Sequence, residues 1–318
     1  MADLDMPIVL PVFILLLLWA ALGQLFGLLY PFVGRLIVTM SPQSRSQFLP
    51  VYSMLPVVIA ATIALLVFTP LVGGVNFSGH CHGLDCSDHV PMLQATPFIS
   101  KGIILIFALS LLLTVLFLAF SIWRNYRTAD VLYRLSRKEP GANFRTLETG
   151  DMVACCVGLF RSDILISRGI LEKTSPLQLQ IILSHELAHA CRFDNLRKFI
   201  VATVTPGWPR HVRKQLLADV ELACEQGCDR AVAALIGSAQ AVAETLHLIN
   251  AWQGSTISQM DREQIRYRIA LLGGPDELNE PTWKPVAMVL SSSAALTVVA
   301  GDILHQAAEV ILTVIPWI

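Results

Sequence analysis

The chain has 318 residues, of which 54% are apolar and only 15% charged, with a formal net charge of -1. Soluble domains carry roughly 45–50% apolar and about 25% charged residues, so a mean hydropathy of +0.60 excludes an ordinary soluble domain. The near-neutral charge excludes a nucleic-acid binder, which needs a basic face.

Four apolar blocks are long enough to cross a bilayer, which takes about 20 residues. They run over about 6–30, 51–72, 102–123 and 285–300. Asp3 and Asp5 precede the first block. A signal peptide would have a basic start, so this block reads as a retained span. Ser291, Ser292 and Ser293 interrupt the fourth. Arg35 and Arg45 follow the first span, and Arg124, Arg127, Arg134, Arg137 and Lys138 follow the third, while 74–100 holds no Lys or Arg. Positive charge stays on the cytoplasmic side. The expectation is an outer N-terminus, an outer loop at 74–100, and a cytoplasmic region at 124–283.

The outer loop contains His80, Cys81, His82, Cys86 and His89. Cys81 and Cys86 lie where disulfides persist, so a small disulfide loop and a metal-binding cluster are both open readings. Residues 124–145 read as a basic helix leaving the membrane, followed by a Pro140-Gly141 turn. Two β-rich runs follow, at 152–157 and 164–166, and the second is the candidate edge strand for holding extended substrate.

The next segment carries the chemistry. Ser175-Pro176 opens a helix that contains His185-Glu186-Leu187-Ala188-His189. Residues four apart share a helix face, so both imidazoles can meet one metal ion, with Glu186 placed to accept a proton from water. The flanking Ile181, Ile182, Leu183, Leu187 and Ala188 make this an apolar segment. Buried ionisable groups there call for a partner.

Glu225 and Asp229 stand one turn apart on a second predicted helix. Glu225 is the expected third ligand, and Asp229 the acceptor for a ligating histidine's second N–H. Glu221, one turn earlier, is the alternative ligand. Thr205-Pro206-Gly207-Trp208-Pro209 breaks the pattern between the two helices and is expected at the membrane surface or on a partner. Arg230, His247, Arg266 and Arg268 are candidate oxyanion donors. Beyond the fourth span, 302–318 is amphipathic, and either lies on the interface or extends that span.

His185-Glu186-Leu187-Ala188-His189, Arg192-Phe193-Asp194-Asn195-Leu196, Glu225-x-x-Cys228-Asp229, the stretch 157–170 and Gln264–Leu272 together resemble the BlaR/MecR family of integral-membrane zinc metallopeptidases. The HtpX/Ste24-like membrane peptidases share the core site. The resemblance implies a mainly α membrane protein with four transmembrane helices and a cytoplasmic α+β gluzincin-like zinc peptidase domain between the third and fourth spans. It implies one zinc ion on His185, His189 and Glu225, Glu186 as the catalytic base, and Asp229, Asp194, Asn195 and Arg192 in support. It also implies a multi-pass location in the cell inner (cytoplasmic) membrane, and a protein or peptide substrate such as a cytoplasmic repressor. Quality control of membrane proteins and a non-catalytic sensor are the competing roles. The best-known members carry a penicillin-binding sensor domain after the last span. This chain ends at Ile318 without a suitable S-x-x-K motif, so sensing by acylation is not expected.

Overall fold

The structure, a computed structural model, describes residues 6–68, 97–139, 141–253 and 259–272, with Ala287 and Ser291 as isolated helical positions. The outer-loop cysteines, nearly all of the fourth predicted span and the 302–318 tail lie outside the described residues. Within them the molecule is mostly helical, with one small sheet.

The apolar blocks form α1 (Met6–Ile37), α2 (Pro42–Phe68) and α3 (Pro97–Leu135). Among the described residues, the stretches Leu15–Ile37 and Pro42–Ile63 are long and apolar enough to cross a membrane. The second helix starts nine residues before the predicted span. Ser41 Oγ accepts from the Ser44 backbone N–H at 3.2 Å, and Pro42 takes the first helical position, where its missing N–H costs nothing. Arg45 therefore lies in a helix rather than in an inter-span loop. The third predicted span falls inside α3, and the helix runs on past residue 123. Leu111, Leu112, Leu113, Val115, Leu116, Phe117 and Leu118 are all exposed.

The sheet follows directly. The basic stretch expected as a helix over 124–145 stays helical only to Leu135, after which β1 (Ser136–Lys138) pairs antiparallel with β2 (Arg145–Leu147). Strand β4 (Asp163–Ser167) pairs parallel with β2 and antiparallel with β3 (Ala154–Val157), in the order β1-β2-β4-β3. Ile164, Leu165 and Ile166 are buried in the central strand. The expected edge strand is thus interior, and β1 and β3 are the edges of the sheet.

Six helices follow among the described residues: α4 (Arg168–Lys173), α5 (Pro176–Arg192), α6 (Asp194–Val204), α7 (Arg210–Ile236), α8 (Ala239–Gln253) and α9 (Gln259–Leu272). Ser175 caps α5 with Gln178 in a reciprocal capping box. Phe193, at φ 54°, ends α5 and turns the chain directly into α6.

A single core joins the apolar helices to α6 and α7. Tyr30, Tyr52, Val201, Trp208, Leu216 and Val220 are buried together. Trp208, expected at a membrane surface or on a partner, is buried against α1 and packs edge-on to Tyr52 at 5.8 Å. Tyr30 donates to Asp219 Oδ2 at 2.6 Å. The α6–α7 turn fits because Gly27 has no side chain: a Cβ there would lie 2.5 Å from Pro209 Cδ. Overpacking of this kind typically costs about 1–3 kcal/mol. Gly27→Leu is expected to lower the thermal midpoint of the purified full chain. Gly34→Leu, where a Cβ meets nothing within 4 Å, is expected to leave it unchanged.

Candidate metal centre

Two helices build the site. Ile182 packs α5 onto Ile164, Ile166 and Ile170, and Ile181 packs it onto Val232, Val242 and Leu272. With that face anchored, the 3.6-residue period turns His185 and His189 toward α7. α7 brings Glu225 and Asp229 to meet them. The two imidazole Nε2 atoms are 3.1 Å apart. Glu225 Oε2 lies 3.3 Å from His185 Nε2, and Glu225 Oε1 lies 3.3 Å from His189 Nε2.

These distances fit a metal ion. Donors about 2.0–2.1 Å from a tetrahedral zinc sit roughly 3.3–3.4 Å from one another. Each histidine also has its other nitrogen on a carboxylate. His185 Nδ1 donates to Asp229 Oδ1 at 3.1 Å, and His189 Nδ1 donates to Asp194 Oδ2 at 2.9 Å. That selects the tautomer in which both Nε2 lone pairs face the shared centre.

The charges of the site depend on one another. Burial opposes charge on His185, yet Asp229 and Glu225 outweigh it and push its pKa up to about 10. Burial raises the Glu225 carboxyl, but His185, His189 and Arg268 hold it well below the usual carboxylate range. Without metal, protons on the imidazoles answer these acids. With metal, the ion takes their place.

The outer partners are all engaged. Arg268 forks Asp229 at 2.7 and 2.8 Å and reaches Glu225 Oε2 at 3.2 Å. Its guanidinium thus holds the two α7 carboxylates in place. Arg230, His247 and Arg266, the other oxyanion candidates, do not line the cavity beside the site. Glu221 is exposed and pairs with Lys198 at 3.5 Å, so the alternative ligand lies outside the donor group. Lys198 itself, at 3.6 Å from Glu225 Oε1, is a neighbour that no sequence pattern signalled.

Asp194 is completely buried and also accepts from Arg197 at 2.8 Å and from Arg192 at 3.4 Å. Asn195 sits apart from the donors. Its Nδ2 donates to the Cys156 and Gly158 carbonyls at 2.8 and 3.1 Å and fixes the end of β3. Cys228 Sγ lies 3.3 Å from His189 Nδ1 and 3.4 Å from Asp194 Oδ2, so His189, Asp194 and Cys228 form a second group of metal-type donors. Burial pushes the Cys228 thiol up, and a neutral thiol is a hydrogen-bond donor rather than a ligand. The second group therefore supports His189.

A cavity of about 330 Å³ opens beside the donors. Glu186 lines it next to His185 and Glu225, facing Ile181, Val242, Leu246 and Ile249, and Met152, Val153 and Ala154 lead from it onto β3. Burial raises the Glu186 carboxyl, and His185 and His189 only partly offset this.

Two histidines from α5 and a glutamate from α7 thus form a group able to hold a metal ion, with the buried Glu186 carboxyl lining a cavity beside them. Residues 122–254 match the model of peptidase family M48, a stretch that takes in both site helices. The match supports a membrane-type zinc metallopeptidase. Neither the curated proteins nor the solved structures contain a match to the chain.

Loss of a ligand's hydrogen-bond partner typically weakens metal binding about 10–100-fold. Asp229→Asn and Asp194→Asn are each expected to weaken zinc binding by that factor in a chelator competition. Glu225→Ala is expected to abolish binding, and Glu221→Gln to leave it intact. Full zinc content in Glu225→Ala would overturn the choice of third ligand.

Proposed function

We propose that this protein is an integral-membrane zinc endopeptidase that cleaves a cytoplasmic or membrane-associated protein as a signalling step. The observation that carries the reading is the convergence of His185, His189 and Glu225 beside Glu186, in a cavity that reaches the start of edge strand β3 at Ala154.

His185, His189 and Glu225 hold the zinc ion. When bound, it supplies Lewis acidity, polarising a carbonyl and making water nucleophilic near neutral pH. Glu186 accepts the proton of the attacking water and returns it to the leaving amine. Its raised pKa suits both halves of that task. The edge of β3 offers unpaired backbone groups to an extended peptide, and the apolar wall of the cavity receives a side chain next to the scissile bond. Asp229 and Asp194 keep the imidazoles oriented throughout.

Location and role rest on sequence. The placement of arginines around the apolar blocks supports an outer N-terminus and a cytoplasmic peptidase region in the inner membrane. The BlaR/MecR resemblance supports a repressor as substrate, by analogy of family rather than of fold.

Glu186→Gln is expected to keep zinc and to lose turnover by about 10²–10⁴-fold or more, the usual range for a general base. Wild-type turnover in that variant would sink the assignment. The same variant serves as a trap in cells, with crosslinking and mass spectrometry against wild type. Enrichment of a small DNA-binding repressor supports signalling. Enrichment of many unrelated membrane proteins replaces it with HtpX-like quality control.

A further inference from the structure

The first turn of α2 reaches the metal centre. Arg192, in the last turn of α5, donates from Nη1 to Gln43 Oε1 at 2.5 Å and from Nη2 to Ser46 Oγ at 2.8 Å. Its Nε points at Asp194 Oδ2, the oxygen that accepts from His189 Nδ1. Ser46 is completely buried, and its own hydroxyl proton goes to the Gln43 carbonyl at 2.9 Å, leaving its lone pairs for Arg192. On the other side the guanidinium lies flat against Gly227, where a Cβ would fall 2.6 Å from Nη2. A second link runs from Arg45 Nη2 to Gln226 Oε1 at 2.6 Å. Gln226 and Gly227 are the two residues after the third donor, Glu225. One planar cation thus ties the start of an apolar helix to the carboxylate behind one imidazole and to the α7 backbone beside the third ligand.

We infer that Gln43 and Ser46 are positioning residues for the metal centre, acting through Arg192 and Asp194 to hold His189 in its ligating orientation. This rests on the metallopeptidase reading above. Planar, forked recognition is what arginine supplies and lysine does not. Removing the two α2 acceptors leaves Arg192 free to swing, and Asp194 loses one of the groups that fix its carboxylate. A partner one contact further out than Asp194 is expected to matter less than the ~10–100-fold of a direct partner. The effect should be about three- to tenfold.

The test uses the full chain in detergent, with zinc(II) affinity from chelator competition and the visible spectrum of the cobalt(II)-loaded protein. Gln43→Ala/Ser46→Ala is expected to weaken zinc binding about three- to tenfold and to change the cobalt spectrum. Gln43→Glu keeps an acceptor for Arg192 and is expected to match wild type on both readouts. Tyr52→Phe removes another hydrogen bond of the apolar helices, the one that joins α2 to the Phe26 carbonyl of α1, and spares Arg192, Arg45 and Asp219. It is expected to leave both readouts unchanged. Wild-type affinity and spectrum in Gln43→Ala/Ser46→Ala overturn the inference, as does an equal loss in Tyr52→Phe, which would reduce the contact to general packing. A wild-type chain that binds no stoichiometric zinc overturns the metallopeptidase reading itself, and this inference with it.

Discussion

The fold turns on one crossing, where two imidazoles from α5 meet two carboxylates from α7. Taking four such groups out of water costs several kcal/mol each unless they answer one another. His185 spans Glu225 and Asp229, His189 spans Glu225 and Asp194, and Arg268 closes the acidic side. Each group is tolerable only because the others are present, so the angle and register of the two helices are tightly constrained. The same mutual dependence keeps both Nε2 atoms aimed at a common point, which a metal ion requires of its ligands.

Around that crossing the scaffold is divided between rigidity and access. The side of α5 away from α7 is locked by Ile182 on the central strand, and β4 is buried and paired on both edges. β3 stays free on one edge, held at its end by Asn195. Such an edge is one to which an extended chain can add through backbone hydrogen bonds, and the cavity with its apolar wall adjoins it. Glu186 stands where the two meet. Its burial raises its proton affinity, and the nearby His185 and His189 offset this only in part.

The apolar helices are more than an anchor. α1 and α2 share one core with α6 and α7, and Arg192 carries hydrogen bonds from that shared region to Asp194. A division of the chain at residue 123 into membrane and peptidase halves therefore cuts through α3 and leaves α7 without part of its packing.

The local parts of this design were legible in the sequence. The i, i+4 spacing of His185 with His189 and of Glu225 with Asp229 is a property of one helix at a time, as is the Ser175-Pro176 start. Long apolar blocks announce themselves by length alone. Contacts between distant segments left no such mark. Glu221 and Glu225 have the same chemistry, and only the packing of α7 decides which faces the imidazoles. Both β-rich runs looked alike, and only pairing made Ile164, Leu165 and Ile166 central and β3 the edge. Arg268 carried no sign of whether it would meet substrate or Asp229. Ser46 and Gln43 looked like loop residues, and Trp208 like a surface anchor. Periodicity reports which side chains share a face, so the sequence determined the donor types and their spacing. Which face meets which is set by the burial of apolar surface from elements far apart in the chain, and that only the tertiary structure decided.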